Sequence, residues 1–351
     1  MMEAGKTKDL PFDVAFPEID VAAANAAVER WNSLAKPPAS LGLLEKAVVK
    51  IAGLTGDPGY ALNRRVLLVL CADNGVVSRG VTQVGSEVTA ALARCSARGN
   101  ISVCKMAEVA GADVVGVDMG MAEDLRLPEL LDRRIAAGTA DLGAGSAMTR
   151  EQALQAIRHG IDLAKAMRDK GYAILLTGEV GMGNTTTSSA MASVLLGRNP
   201  AEMTGRGAGL SDAGLQRKIA VIEEAVAVNK PDPDDALDVL AKLGGFDIAG
   251  MTGIFLGGAM FRIPVLIDGL ISSVAALVAE RLCPGATRAM LASHVSAEPA
   301  GALVLDELAL HPLIHAGLCL GEGTGAVAAL ALLDQAYAVY NNMITYGEIP
   351  T

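Results

Sequence analysis

Apolar and polar positions follow two rhythms along this chain. Val66-Leu67-Leu68-Val69-Leu70-Cys71 is an unbroken apolar run ending in Ala72-Asp73-Asn74-Gly75, the pattern of a parallel strand buried on both faces. Residues 113–118, 172–177 and 264–268 repeat it, and a last strand with its loop is predicted over 289–298. Helical spacing is predicted for 86–97, 103–110, 151–170, 211–229, 272–282, 300–310 and 324–340. The alternation predicts an α/β fold with a mostly parallel sheet flanked by helices. Residues 125–150 read as irregular, and 244–253 as a small-residue lead into the strand at 264–268. Two early helices, 21–31 and 43–54, are separated by Lys36-Pro37-Pro38-Ala39-Ser40, where the prolines stop the first and Ser40 can cap the second. Residues 1 to about 60 therefore read as a small helical unit.

Polar residues at the carboxyl ends of parallel strands line the usual ligand crevice, which directs attention to Asp73 and Asn74. Two loops place one carboxylate among glycines: Gly178-Glu179-Val180-Gly181-Met182-Gly183 and Gly321-Glu322-Gly323-Thr324-Gly325. Glycine permits tight turns and close ligand approach, and apolar surroundings raise a carboxyl pKa toward that of a useful proton acceptor. Glu322 then reads either as a general base or as a charge placed to favour a helix N-terminus.

Composition narrows the classes. The 351 residues carry 39 acidic and 29 basic side chains, a formal net charge of −10, and no basic run interleaved with aromatics. Nucleic acid is thus not expected as a partner. A hydrophobic fraction of 51% with 3% aromatics means that small aliphatic residues pack the core, as suits helices laid closely on a sheet. The five cysteines form no C-x-x-C pair and read as reduced thiols of a cytoplasmic protein. No signal peptide or membrane span is predicted.

Several chemistries lack their motifs. Neither G-x-x-x-x-G-K-[ST] nor G-x-S-x-G occurs, and no G-x-G-x-x-G opens a helix directly after a strand. His311 and His315 have the spacing of a metal pair, but Pro312 breaks the helix that would hold it. Gly205-Arg206-Gly207-Ala208-Gly209, Lys218 and Ser296 offer amides, cations and a hydroxyl suited to one phosphate, or else a solvated surface turn. Met182 is the methionine placed to touch a flat ligand.

Six ordered motifs resemble one family: the Lys36-Pro37-Pro38-Ala39-Ser40-Leu41-Gly42 segment, Ala72-Asp73-Asn74-Gly75-Val76, Gly178-Glu179 with Gly183-Asn184-Thr185-Thr186, Gly244-Gly245-Phe246-Asp247 with Gly250-Met251-Thr252-Gly253, Ser293-His294-Val295-Ser296-Ala297-Glu298, and Gly321-Glu322-Gly323-Thr324-Gly325. Over residues 30–345 the chain is similar to the nicotinate-nucleotide:dimethylbenzimidazole phosphoribosyltransferases of cobalamin lower-ligand assembly. The resemblance implies a Rossmann-like catalytic domain over 61–325, a small helical domain from 1–60 joined by the helix at about 326–351, and a homodimer. It implies transfer of the phosphoribosyl group of nicotinate mononucleotide to a benzimidazole-type base, with inversion and without cofactor or metal. By position Glu322 matches the general base and Glu179 the second active-site carboxylate. Lys218 and Ser296 match residues near the ribose phosphate, where Gly181, Arg206 and Gly207 join them. The base would lie among Gln83, Val84, Ser86, Leu92, Met182 and Leu320. Val84 and Leu92 stand where better-known members carry polar residues, which leaves a benzimidazole, a purine and a phenol open as the base.

Overall fold

The computed structural model describes residues 10–350; the first nine residues of the expected 1–60 unit, and Thr351, lie outside the described residues. Six strands form one sheet: β1 (Arg65–Ala72), β2 (Ala112–Gly120), β3 (Leu130–Asp132), β4 (Ile174–Val180), β5 (Val265–Ile267) and β6 (Met290–Ala292). Their order is β3-β2-β1-β4-β5-β6 and every pairing is parallel. This is the doubly wound Rossmann order.

The continuous apolar run of β1 follows from burial on two faces. Val66, Leu68 and Leu70 enter one core with Ile157, Ile254 and Val274, while Leu67, Val69 and Cys71 enter another with Val103, Ala107 and Leu330. Successive side chains point to opposite faces, so helices Arg150–Asp169, Phe246–Phe261 and Leu270–Leu282 cover one side. Helices Ser102–Ala110 and Thr324–Asn342 cover the other.

Three local expectations change. Phe246–Phe261 is a helix, not a small-residue lead into a strand; it is buried along nearly its whole length, so its sequence has no polar face to mark a period. Leu130–Asp132, inside the segment read as irregular, pairs with β2; three residues are too few to show alternation. Glu179 belongs to β4, opposite Leu70, so the two Gly-Glu segments differ in backbone: one is extended, the other a turn.

Helices Val21–Ser33, Leu43–Thr55 and Thr324–Asn342 meet in a separate cluster of Ala27, Trp31, Val48, Ala52, Ala336 and Tyr340. The rings of Trp31 and Tyr340 lie 5.0 Å apart. The last helix spans two environments, since its first half, through Ala326, Leu330 and Leu333, packs on the sheet. Among the described residues no helix is long and apolar enough to cross a membrane.

Candidate active site

A cleft of about 350 Å³ opens at the carboxyl ends of β4, β5 and β6, next to the switch point between β1 and β4, where the connection from β1 runs to β2 on one side and that from β4 runs to β5 on the other. Such switch points are where doubly wound sheets bind ligands.

Glu322 lines this cleft from a left-handed backbone, φ +62°, between Gly321 at +84° and Gly323 at +96°. Its Oε2 accepts a 3.2 Å hydrogen bond from the amide of Val103, in the first turn of helix Ser102–Ala110, whose N-cap Ile101 supplies no side-chain bond. The carboxylate therefore caps a helix distant in sequence rather than the helix that it precedes. Burial pushes its pKa up, the Val103 amide pulls it down, and the charge of Asp268 adds to the rise.

Gly178 explains why this turn can lie directly on β4. A Cβ there would stand 2.3 Å from the carbonyl oxygen of Glu322. One residue on, Glu179 receives a short hydrogen bond from Asn184, and the same amide nitrogen donates to Asp247 Oδ2 at 3.1 Å. Burial, then the neighbouring Asp247, lift the Glu179 pKa well above its ordinary value of 4.5. Asp247, also buried, rises to about 6. Asp73, Asp118 and Asp268 are raised as well, each mainly by burial. The strand ends thus form an acidic region with room for positive charge.

Lys218 is fully buried behind the cleft wall. Its Nζ donates to Thr185 Oγ1 at 2.9 Å and to the Gly205 carbonyl at 3.1 Å, and both bonds go to neutral groups. Burial lowers its pKa to about 8, against the opposing charge of Glu298. Gly207 lies over Lys218, 3.6 Å from its Nζ to the place a Cβ would take, and gives its amide to Glu298 Oε1 at 2.9 Å. Ser296 lines the cleft, its Oγ accepting from the Glu298 amide at 3.3 Å. Gly181 and Arg206 line it too, but the guanidinium of Arg206 is tied to Asp212 and to the Leu210 carbonyl.

The expected base residues divide. Val84 and Leu92, with Val88 between them, make an apolar wall, and Met182 and Leu320 border the same space. Met182 is fixed by its amide donating to Thr89 Oγ1 at 3.1 Å. Gln83 is in the wall, but its amide donates to the Gly209 carbonyl. Ser86, just before helix Glu87–Ala97, is not among the lining residues.

Sequence reasoning missed Asp268, His294, Asn184, Asp247 and Glu298. The first two stand just past β5 and β6 and line the cleft, so the strand-end rule applied to Asp73 could have found them. Nothing in the sequence marked the bridge that Asn184 makes between two carboxyl groups. Among the described residues no group of three His, Cys, Asp or Glu side chains is placed to hold a metal.

A parallel sheet of this order, with carboxylates and a buried lysine gathered at its switch point, defines an α/β protein built to hold a phosphorylated small molecule. A phosphoribosyltransferase family model matches residues 16–349, and the chain belongs to that family. It is 47% identical over 94% of each chain to the nicotinate-nucleotide–dimethylbenzimidazole phosphoribosyltransferase of Roseiflexus sp. (strain RS-1). It is 43% identical, again over 94% of each chain, to the protein of that name from Ruminiclostridium cellulolyticum. The solved structure of CobT from Thermus thermophilus superposes with a TM-score of 0.88 at 36% identity, covering 93% of this chain and 98% of that one.

Proposed function

We propose that this protein moves the 5-phosphoribosyl group of nicotinate mononucleotide to a benzimidazole-type base, forming the α-riboside 5′-phosphate and nicotinate for the cobamide nucleotide loop. The observation that carries the proposal is one cleft holding a raised-pKa carboxylate, Glu322, and, behind its wall, a buried lysine bonded only to neutral oxygens. A buried ammonium without an anion in contact is costly, and a substrate phosphate reaching Gly207 and Ser296 would relieve that cost. To do so it takes the Gly207 amide from Glu298.

In the reaction the base nitrogen forms its bond to the anomeric carbon as the bond to the pyridinium nitrogen breaks. The electron pair of the broken bond neutralises the departing ring. The attacking base becomes cationic and gives its N–H proton to Glu322. A positioned base of this kind is worth roughly 10²- to 10⁴-fold. Glu179 holds a ribose hydroxyl of the incoming nucleotide or stabilises the positive charge that develops at the sugar. The wall of Val84, Val88 and Leu92 favours a benzimidazole over a purine, whose polar edge would be left unpartnered.

Family likeness supports the remaining proposals of a homodimer in the cytoplasm and a catalytic domain over 61–325, and the shared cluster of Trp31, Val48 and Ala336 supports a small domain made of 1–60 and 326–351. The decisive experiment incubates the protein with nicotinate mononucleotide and a panel of benzimidazoles, purines and phenols and identifies the riboside by mass. Glu322→Gln keeps an acceptor for the Val103 amide, so it should bind the mononucleotide normally and lose about 10²-fold or more in turnover. Wild-type nicotinate release by that variant would remove Glu322 from the role of base.

A further inference from the structure

We infer that Asp268 is a positioning residue for Glu322: its carboxylate clasps the backbone of the Gly321–Gly325 turn and holds Glu322 in the conformation that brings it to the cleft. The inference rests on the proposed role of Glu322 as base. Both oxygens of Asp268 are engaged. Oδ2 accepts from the amide of Gly323 at 3.1 Å, and Oδ1 accepts from Gly325 at 2.8 Å and Ala326 at 3.0 Å. Gly323 directly follows Glu322, and the other two amides open the last helix.

The turn needs such a clasp. Three successive residues have positive φ, and the middle one carries a side chain, so its backbone is strained. A conformation of that kind persists only where its surroundings over-determine it. Asp268 supplies the constraint from the rigid end of β5, where it is 3% exposed. Thr324 closes the other side, its hydroxyl donating to the Gly321 carbonyl at 2.8 Å. His294 backs the arrangement, with Nδ1 4.0 Å from Asp268 Oδ1 and 3.1 Å from Ser293 Oγ. A Cβ at Gly325 would fall 1.8 Å from that ring nitrogen, so the helix start lies flat against the imidazole. The turn is seated between the ends of β4 and β5, and Glu322 has no freedom of its own to find the cleft.

Asp268→Asn keeps the size of the side chain but presents an amide donor to a backbone N–H, so one clasp must open. Nicotinate release from nicotinate mononucleotide and dimethylbenzimidazole is measured for wild type, Asp268→Asn, Glu322→Gln and the double variant. The single Asp268 variant should lose about 10²-fold in kcat, the cost of misplacing a reacting group by about 1 Å, with KM for the mononucleotide unchanged. On the Glu322→Gln background the same change should cost nothing further, because Asp268 acts only through Glu322. Wild-type kcat in the single variant, or an equal loss on both backgrounds, overturns the inference. A wild-type protein that releases no nicotinate with any base overturns the proposed function itself and the inference with it. Should Asp268→Asn fail to fold, Thr324→Val opens the turn from its other side. The same lack of further loss on the Glu322→Gln background is then required, and additive losses refute the positioning role.

Discussion

Glu179 and Glu322 are the same residue type in one cleft, yet their surroundings set them apart. Glu322 keeps a helix-start amide as partner, whereas Glu179 shares one amide group with a second carboxyl. Burial raises both, but only Glu179 has a buried carboxylate as its next largest influence. A base must be deprotonated, so kcat/KM should fall as pH drops through the Glu322 pKa, at a pH above the ordinary value of 4.5. The opposite limb belongs to Lys218. Its ammonium is lost as pH rises through about 8, and phosphate affinity goes with it. Phosphate contact restores the proton, so this limb should appear in kcat/KM and be absent from kcat. Lys218→Met should remove the alkaline limb and raise KM by roughly 10- to 100-fold, the worth of a charge-assisted hydrogen bond; steady-state rates from pH 5 to about 9.5 check both statements. Glu322 was legible in the sequence because one charge stood among glycines and apolar residues. Asp247 was not, because its partner Asn184 stands 63 residues away.

At the scale of elements, legibility tracked burial in a different way. Strands buried on both faces announced themselves as apolar runs, and amphipathic helices showed a period. Helix Phe246–Phe261 did neither. It packs along helix Arg150–Asp169 so closely that a Cβ on Gly253 would stand 2.0 Å from the Ile157 carbonyl oxygen, and one on Gly160 would stand 2.0 Å from that of Gly250. Glycines that read as breakers of structure are the means by which two backbones touch. Gly253→Ala should therefore lower stability by about 1–3 kcal/mol or more through overpacking, measured by urea unfolding. Gly145→Ala meets nothing within 4 Å and should stay within about 0.5 kcal/mol of wild type. Equal behaviour of the two variants would mean that the helices can slide apart, contrary to the packing. Phe246–Phe261 follows Gly245 and carries Asp247 in its first turn, so loosening it should also disturb the Asn184 bridge to Glu179.

Across the whole molecule, the acidic region at the strand ends ties stability to pH in a direction opposite to that of salt-bridged carboxylates. Asp73, Asp118, Glu179, Asp247 and Asp268 all have folded pKa values above their ordinary ones. The folded state then binds more protons than the unfolded chain, so stability declines as pH rises. Their contribution is complete below the unfolded values of 3.8 and 4.5 and is lost as pH climbs through the folded values, about 6 for Asp247. Asp247 alone accounts for a differential of about 3 kcal/mol. Carboxylates shifted downward, among them Asp124, Glu151 and Glu348, lie at the surface, where solvent screens them. The net charge of −10 acts in the same sense as the buried cluster. The urea midpoint should thus fall as pH rises from about 4 to about 6, the span between the unfolded and folded values of Asp247. Glu179→Gln makes the neutral form permanent, so that variant should show a shallower decline and a higher midpoint at the alkaline end while losing activity. A wild-type midpoint that rises over this range would mean that the cluster ionises on folding. If binding compensates the same charges, nicotinate mononucleotide, which carries its pyridinium cation into the cleft, should stabilise the protein more at pH 8 than at pH 5.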